Sequence, residues 1–289
     1  MQVLHQRFPE NLSGRDFVVG DLHGCLDLFQ AELDRIEFDT TRDRIFSVGD
    51  LADRGPDSMG CLRLLHEPWF HAVRGNHEDM LLDYAYPVVA PYAYGRATDL
   101  LLRNGGRWVL DLDKSEQDEL WEDLVPRVAK LPYVITVGEG AARFHVAHAE
   151  LMTGYVDEVS TWFKGKESSS PKQVLTDTMI NDEVLATMIE PLTWGRRLIR
   201  EIRMGEASEV DTSYGKLVAS HKPRSSGLAL TYVGHTPLKC MVLHASHLFI
   251  DRGAYARKRN SCLVVLDHQP CRSGSTHGGM IVGPNYPDC

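Results

Sequence analysis

Short β-rich apolar runs, each cut off by a glycine or a polar residue, recur along the chain and alternate with stretches of helical period. The runs span residues 17–20, 45–49, 71–75, 143–148, 231–235 and 248–251, and such runs read as strands. Between the first two, Leu26, Phe29, Leu33 and Ile36 recur every three or four residues, which predicts an amphipathic helix over residues 25–38. Residues 57–66 and 78–86 read as helices as well. Strand, helix, strand order implies right-handed crossovers and a sheet covered by helices, so the strand pattern gives an α/β fold class. In such sheets, functional groups gather at the carboxyl ends of the strands.

Further along, residues 100–128 and 174–189 read as helix, and residues 164–172, with three consecutive serines and a proline, as an exposed loop. Residues 204–227 are polar and weakly periodic, and no element is assigned to them. The stretch 267–289 is rich in Gly, Pro, Ser and His and reads as a flexible extension. With 289 residues and 43% hydrophobic content, the chain can fill one sizeable core, expected over residues 1–266.

No apolar run reaches the roughly 20 residues of a membrane span, and the first ten residues lack the basic-then-apolar order of a secretion signal. A cytoplasmic, membrane-free protein is expected. Six cysteines (Cys25, Cys61, Cys240, Cys262, Cys271 and Cys289) show neither zinc-knuckle spacing nor disulfide-scaffold density, and read as reduced thiols. A net charge of -9 argues against nucleic acid as a partner. It leaves a phosphate substrate open, because a bound metal can set the local sign.

The most informative feature is where metal-ligand residue types fall. Asp21 and His23 follow the first run, Asp50 the second, Asn76 and His77 the third, while His148 and His235 end the next two. Any one of them alone reads as a turn former or helix cap. Together they deliver oxygen and imidazole donors to one edge of a sheet. The surrounding segments are specific: Gly20-Asp21-Leu22-His23-Gly24, then Gly49-Asp50-Leu51-Ala52-Asp53-Arg54-Gly55, then Arg74-Gly75-Asn76-His77-Glu78.

These segments match GDxHG, GDxxDRG and GNHE, and on them the chain resembles the metal-dependent phosphoprotein phosphatases, a branch of the calcineurin-like metallophosphoesterases, most of all their bacteriophage and bacterial members. The likeness extends through residues 68–70, 102–106, 194–199, 234–237 and 250–255, and so from about Phe17 to Leu266. It implies a β-sandwich flanked by helices, in α/β/β/α layers, with residues 1–266 as the catalytic domain. It also implies a first metal held by Asp21, His23 and Asp50 and a second held by Asp50, Asn76, His148 and His235, with Asp50 bridging.

Two divalent cations carry four positive charges against three from Asp21, Asp50 and a bridging hydroxide, and the residue of positive charge attracts a phosphate dianion. Mixed imidazole and oxygen ligation favours manganese, with iron or zinc as alternatives. Such a pair activates water for in-line attack, so no phosphoenzyme is expected. The resemblance further implies His77 as proton donor to the leaving group, Asp53 as its orienting partner, and Arg54, Arg74 and Arg196 as the grip on phosphate oxygens. Arg197 is an alternative to Arg196. His145 reads as structural, Glu78 as a loop support, and Arg252 as a basic contact near the site.

The activity implied is hydrolysis of phosphate monoesters, on serine or threonine and also tyrosine of a phosphoprotein or phosphopeptide. A symmetrical diadenosine tetraphosphate hydrolase is the main alternative, since residues 54–58 look like its second motif, but Asp53 and Arg74 weigh against it. A metal-binding regulator without turnover is a third reading, opposed by the complete donor set. Oligomeric state is not legible.

Overall fold

A computed structural model of the chain describes residues 3–86, 98–153, 173–202 and 208–268. The loop expected at 164–172 and most of the 267–289 extension lie outside these residues.

Two sheets face each other. The smaller has the order β12-β2-β3-β4, with β2 (Asp16–Val19), β3 (Arg44–Ser47) and β4 (Phe70–Ala72) parallel and β12 (Val265–Asp267) antiparallel to β2. The larger runs β1-β5-β6-β9-β11-β10-β8-β7. Its strands are β1 (His5–Phe8), β5 (Val134–Val137), β6 (Phe144–Ala147), β7 (Ser208–Thr212), β8 (Gly215–Ala219), β9 (Leu230–Val233), β10 (Met241–His244) and β11 (His247–Phe249).

Period-two alternation decides what each face buries. From β2 and β3, Val18 and Phe46 point between the sheets, where they meet Ile135, Phe144, Val146, Tyr232 and Leu248 of the larger sheet. Phe46 is fully buried and its ring meets Phe144 edge-on at 5.8 Å; removing such a ring costs about 3–5 kcal/mol. Their neighbours Phe17, Val19 and Ile45 point outward, onto α1 (Leu26–Arg35), α2 (Ser58–Arg63) and α3 (Asn76–Ala85). On the far side of the larger sheet, Val134, Ala147, Val233 and Phe249 are covered by Leu185, Leu192 and Leu198 from short helices. The result is the expected helix, sheet, sheet, helix order.

All the strands read from the sequence are present, and so are the first three helices. Residues 100–128 do not form one helix. Gly105, at φ +105°, ends the helical run at 98–103, a 3-10 turn covers Gly106–Leu110, and helix resumes at Lys114, capped by Asp113. Residues 174–189 do not form one helix: Val174 makes a β-bridge to Met152, a 3-10 turn covers Asp177–Met179, and α-helix is confined to Asp182–Ala186 and the start of Ile189–Trp194. Within 204–227, the unassigned stretch, the chain makes the edge hairpin β7–β8.

Candidate metal centre

The parallel crossovers leave the loops after β2, β3 and β4 side by side, and backbone bonds lock them together. The His23 N–H donates to the Asp50 carbonyl (2.8 Å) and the Gly24 N–H to that of Leu51 (2.9 Å). Glu78 accepts from the N–H groups of Asp50, Leu51 and Gly75, each at 2.8 Å, which is the supporting role its position predicts. His23, Asp50, Asp53, Arg54 and His235 all have left-handed φ, from 42° to 72°. Such backbone strain in non-glycine residues gathers where a structure over-determines a site.

Ligand-type atoms of Asp50, His148 and His235 lie within 4.8 Å of one another, as do those of His23, Asp50 and His77. Asp50 belongs to both groups, as a bridging carboxylate requires. Asn76 Oδ1 lies 2.9 Å from both His148 Nε2 and His235 Nδ1. Asp21 stands 4.0 Å from His23 Nε2 and accepts the His235 backbone N–H at 3.0 Å. Gly234 is obligatory beside it, since a Cβ there would come within 1.8 Å of Asp21 Oδ1.

Two of the histidines are aimed by carbonyls. His23 Nδ1 is 3.0 Å from the Ala52 oxygen and His148 Nδ1 is 2.8 Å from that of Val48, so each turns Nε2 toward the cluster. This is the outer-shell pattern that orients imidazole ligands.

The electrostatics fit a cation pair. Burial holds the His23 imidazole down at about 3 and also lowers those of His148 and His235, leaving them in the neutral, ligating form. Burial, then the charges of Asp251 and Asp50, push Asp21 well above the usual carboxylate range. Burial opposes ionisation of Asp50 too, yet its pKa falls, because the histidines around it, His148 and His77 first, are protonated in the acid range where it would titrate and their charges outweigh burial. His235 Nε2 and Asp251 Oδ2 are buried polar atoms with no hydrogen-bond partner. Crowded buried carboxylates and neutral imidazoles with unsatisfied atoms are the donor set that divalent cations of mixed N/O preference take.

Beside the cluster, His77 Nδ1 donates to Asp53 Oδ2 at 2.5 Å, with both residues 1% exposed. Burial alone would disfavour the imidazolium, but the Asp50 charge and the Asp53 hydrogen bond raise the His77 pKa overall. Arg54 Nη1 and Nη2 lie 2.6 Å from His23 Nε2 and 2.8 Å from His77 Nε2, which places the guanidinium between the two imidazoles, and it lies 4.8 Å over the Tyr255 ring. The Arg196 charge acts on His148 and His235, whereas Arg197 is paired with Glu201 at 2.9 Å.

Arg74 is not brought to the cluster. Its guanidinium donates to the carbonyls of Ala129 (2.5 Å) and Val128 (3.4 Å) and to the Tyr133 hydroxyl (3.3 Å), and pairs with Asp79 at 3.5 Å. Arg252 also turns away from the position expected of it. Its three guanidinium nitrogens donate to the carbonyls of Leu238, Tyr214 and Asn260, a staple between loops. His145 is buried between Thr136 and Asp177, in a structural role.

Three neighbours of the site were not singled out from sequence. Asp251 ends the β11 run, and the strand-end rule could have found it. Tyr255 and Trp108 carry no local signal.

The sequence pattern described as "Calcineurin-like phosphoesterase" matches residues 17–202. Over 147 residues the chain is 40% identical to "Serine/threonine-protein phosphatase 1" of Salmonella typhimurium, covering 51% of this chain and 64% of the relative. Over 134 residues it is 40% identical to "Serine/threonine-protein phosphatase 2" of Escherichia coli, covering 46% of this chain and 57% of the relative. These matches therefore span less than two thirds of either relative. A shorter match, 43% over 68 residues, covers 23% of this chain and 25% of "Bis(5'-nucleosyl)-tetraphosphatase, symmetrical" from Cellvibrio japonicus. Among solved structures, one provisionally described as a diadenosine tetraphosphatase superposes with a TM-score of 0.50 at 17% identity, over 92% of this chain and 99% of that one, and shares the fold. With the family pattern covering most of the chain and the donor set in place, the protein belongs to the calcineurin-like phosphoesterase family.

Proposed function

We propose that the chain is a phosphatase that hydrolyses phosphate monoesters of serine- or threonine-phosphorylated proteins by direct attack of water, with two divalent cations, manganese first among them, as cofactors. The observation that carries this reading is Asp50 standing between two histidine groups, His23 with His77 on one side and His148 with His235 on the other, with Asp53 and Arg54 in contact with His77.

Asp21, His23 and Asp50 would hold one cation, and Asp50, Asn76, His148 and His235 the other. When bound, the pair supplies a deprotonated water and polarises the phosphoryl oxygens. Arg54 and Arg196 bind and orient the phosphate through planar, fixed donors. His77, held by Asp53 at Nδ1, presents Nε2 to the ester oxygen and delivers its proton as the P–O bond breaks. Arg74 holds the third-motif loop against the end of the helix Val125–Val128.

The bacterial relatives named as serine/threonine phosphatases support the phosphoprotein substrate. The short match to a dinucleoside tetraphosphatase makes that substrate the competitor. Turnover of phosphoserine and phosphothreonine peptides should be compared with that of diadenosine tetraphosphate in the presence of manganese. Higher kcat/KM on the peptides is expected, and faster turnover of the dinucleotide would overturn the assignment.

A further inference from the structure

We infer that Trp108 is a positioning residue for proton donation: its indole N–H fixes the Asp53 carboxylate and, through it, the orientation of His77. The inference rests on the phosphatase reading above and adds to it a residue outside the signature motifs.

Both carboxylate oxygens of Asp53 are used. Oδ2 takes the His77 Nδ1 proton at 2.5 Å, and Oδ1 takes the Trp108 Nε1 proton at 2.7 Å. The Asp53 backbone N–H donates to Ser58 Oγ at 2.9 Å, so main chain and side chain are each pinned. A carboxylate bonded on one side only can turn about its Cβ–Cγ bond, and the imidazole turns with it. A second donor on the other oxygen removes that freedom.

The segment that carries Trp108 is itself fitted to this loop. The Gly105 carbonyl accepts the Arg54 N–H at 3.3 Å, and a Cβ on Gly105 would stand 2.7 Å from Arg54 Cγ and 2.8 Å from Arg54 N. Gly105 also has φ +105°, a conformation that side-chain-bearing residues rarely adopt. Trp108 packs against the core of the outer helical layer, which gives the indole a rigid base. Asp53 and Arg54, two consecutive residues at left-handed φ, are thus braced from outside their own motif.

The chemistry sets the test. A proton on the leaving oxygen matters in proportion to that oxygen's basicity, so loosening His77 harms alkyl esters and spares esters of acidic phenols. Trp108→Phe keeps the ring and deletes the donor. With manganese, it should lower kcat on a phosphoserine peptide about tenfold or more, leave KM unchanged, and alter kcat on 4-nitrophenyl phosphate less than about threefold. In an Asp53→Asn background the same change should add little, because the indole acts through Asp53. In the metal-free protein, the downfield His77 Nδ1–H proton resonance should move upfield in Trp108→Phe.

Equal losses on both esters, full additivity with Asp53→Asn, or an unmoved resonance would overturn the role. If the wild-type protein hydrolyses neither ester, the phosphatase reading fails, while the metal-free resonance still decides whether Trp108 holds the pair. Should Trp108→Phe fold poorly, Trp108→His, which restores a ring N–H, should recover the resonance position. Failure to recover it in a folded protein would count against the inference.

Discussion

The main chain of Asp50 and the side chain of Glu78 are tied across 28 residues of sequence: the Asp50 N–H donates to Glu78 Oε2 at 2.8 Å inside the protein. The same carboxylate takes the N–H groups of Leu51 and Gly75, so one side chain fastens the second motif to the third. Burial, followed by the Asp50 charge, raises the Glu78 pKa to about 7. The Asp50 carboxylate is therefore placed by main-chain geometry, independently of any ligand.

Glu78→Ala leaves those buried N–H groups without acceptors. A loss of about 3 kcal/mol or more is expected, since each buried unpaired group costs roughly 1–3 kcal/mol. Urea unfolding of the metal-free protein measures it, and a change below about 1 kcal/mol would refute the fastening role.

Asp50→Asn separates stability from metal binding. Asp50 lies among buried acids, Asp21 and Asp251, whose pKa values it raises. Its own pKa is nonetheless lowered in the fold by the histidines around it, against the effect of burial, so its charge favours the native state and its neutralisation should lower the metal-free melting temperature. Manganese should raise the melting temperature of the wild type and not of the variant, because only a ligand bound to the native state stabilises it. Equal manganese shifts in the two proteins would remove Asp50 from the ligand set.

Arg54 and Arg74 should part company. Arg54→Ala should raise KM for phosphorylated peptide about tenfold or more, as loss of a charge-assisted phosphate contact does. Arg74→Met should cost about 1–3 kcal/mol of stability, since the Ala129 carbonyl loses the Arg74 donor and Asp79 its cationic partner. Steady-state kinetics and thermal melts on the same samples separate the two, and a KM effect confined to Arg74 would reverse the assignment.

Acid stability has a named contributor. His247 is fully buried, accepts the Leu151 N–H at Nε2 (3.0 Å) and donates Nδ1–H to the Ala245 carbonyl (2.8 Å), and burial lowers its pKa to about 4. The unfolded chain takes up this proton first, near 6.5. Stability is thus complete above about pH 6.5 and falls as pH drops from there toward 4, by about 1.4 kcal/mol per pH unit. His247→Gln should show a shallower fall over that window in urea titrations, and an identical slope would show that His247 is not responsible.

The strand ends were legible because each couples an apolar run to an abrupt glycine and a ligand-type residue, two signals that reinforce each other at Asp21, Asp50 and Asn76. The edge strands β1 and β7 were not, since His5–Phe8 and Ser208–Thr212 are too polar to stand out from loop. Residues 174–189 misled because their helical spacing of apolar residues is interrupted by the Val174–Met152 bridge and the 3-10 turn at Asp177–Met179. Arg74 and Arg252 were legible as cations but not in direction; the carbonyls that hold them come from distant loops. The same holds for Trp108, whose partner Asp53 lies 55 residues away.

The central claim is that Asp50 and its neighbours gather a pair of cations on which hydrolysis depends. Its most direct test is to measure metal content and phosphatase activity on one folded preparation as the metal is stripped and restored. Two divalent ions per chain, with activity lost and regained in step with them, is the predicted result; undiminished hydrolysis by protein shown to hold no cation would contradict it.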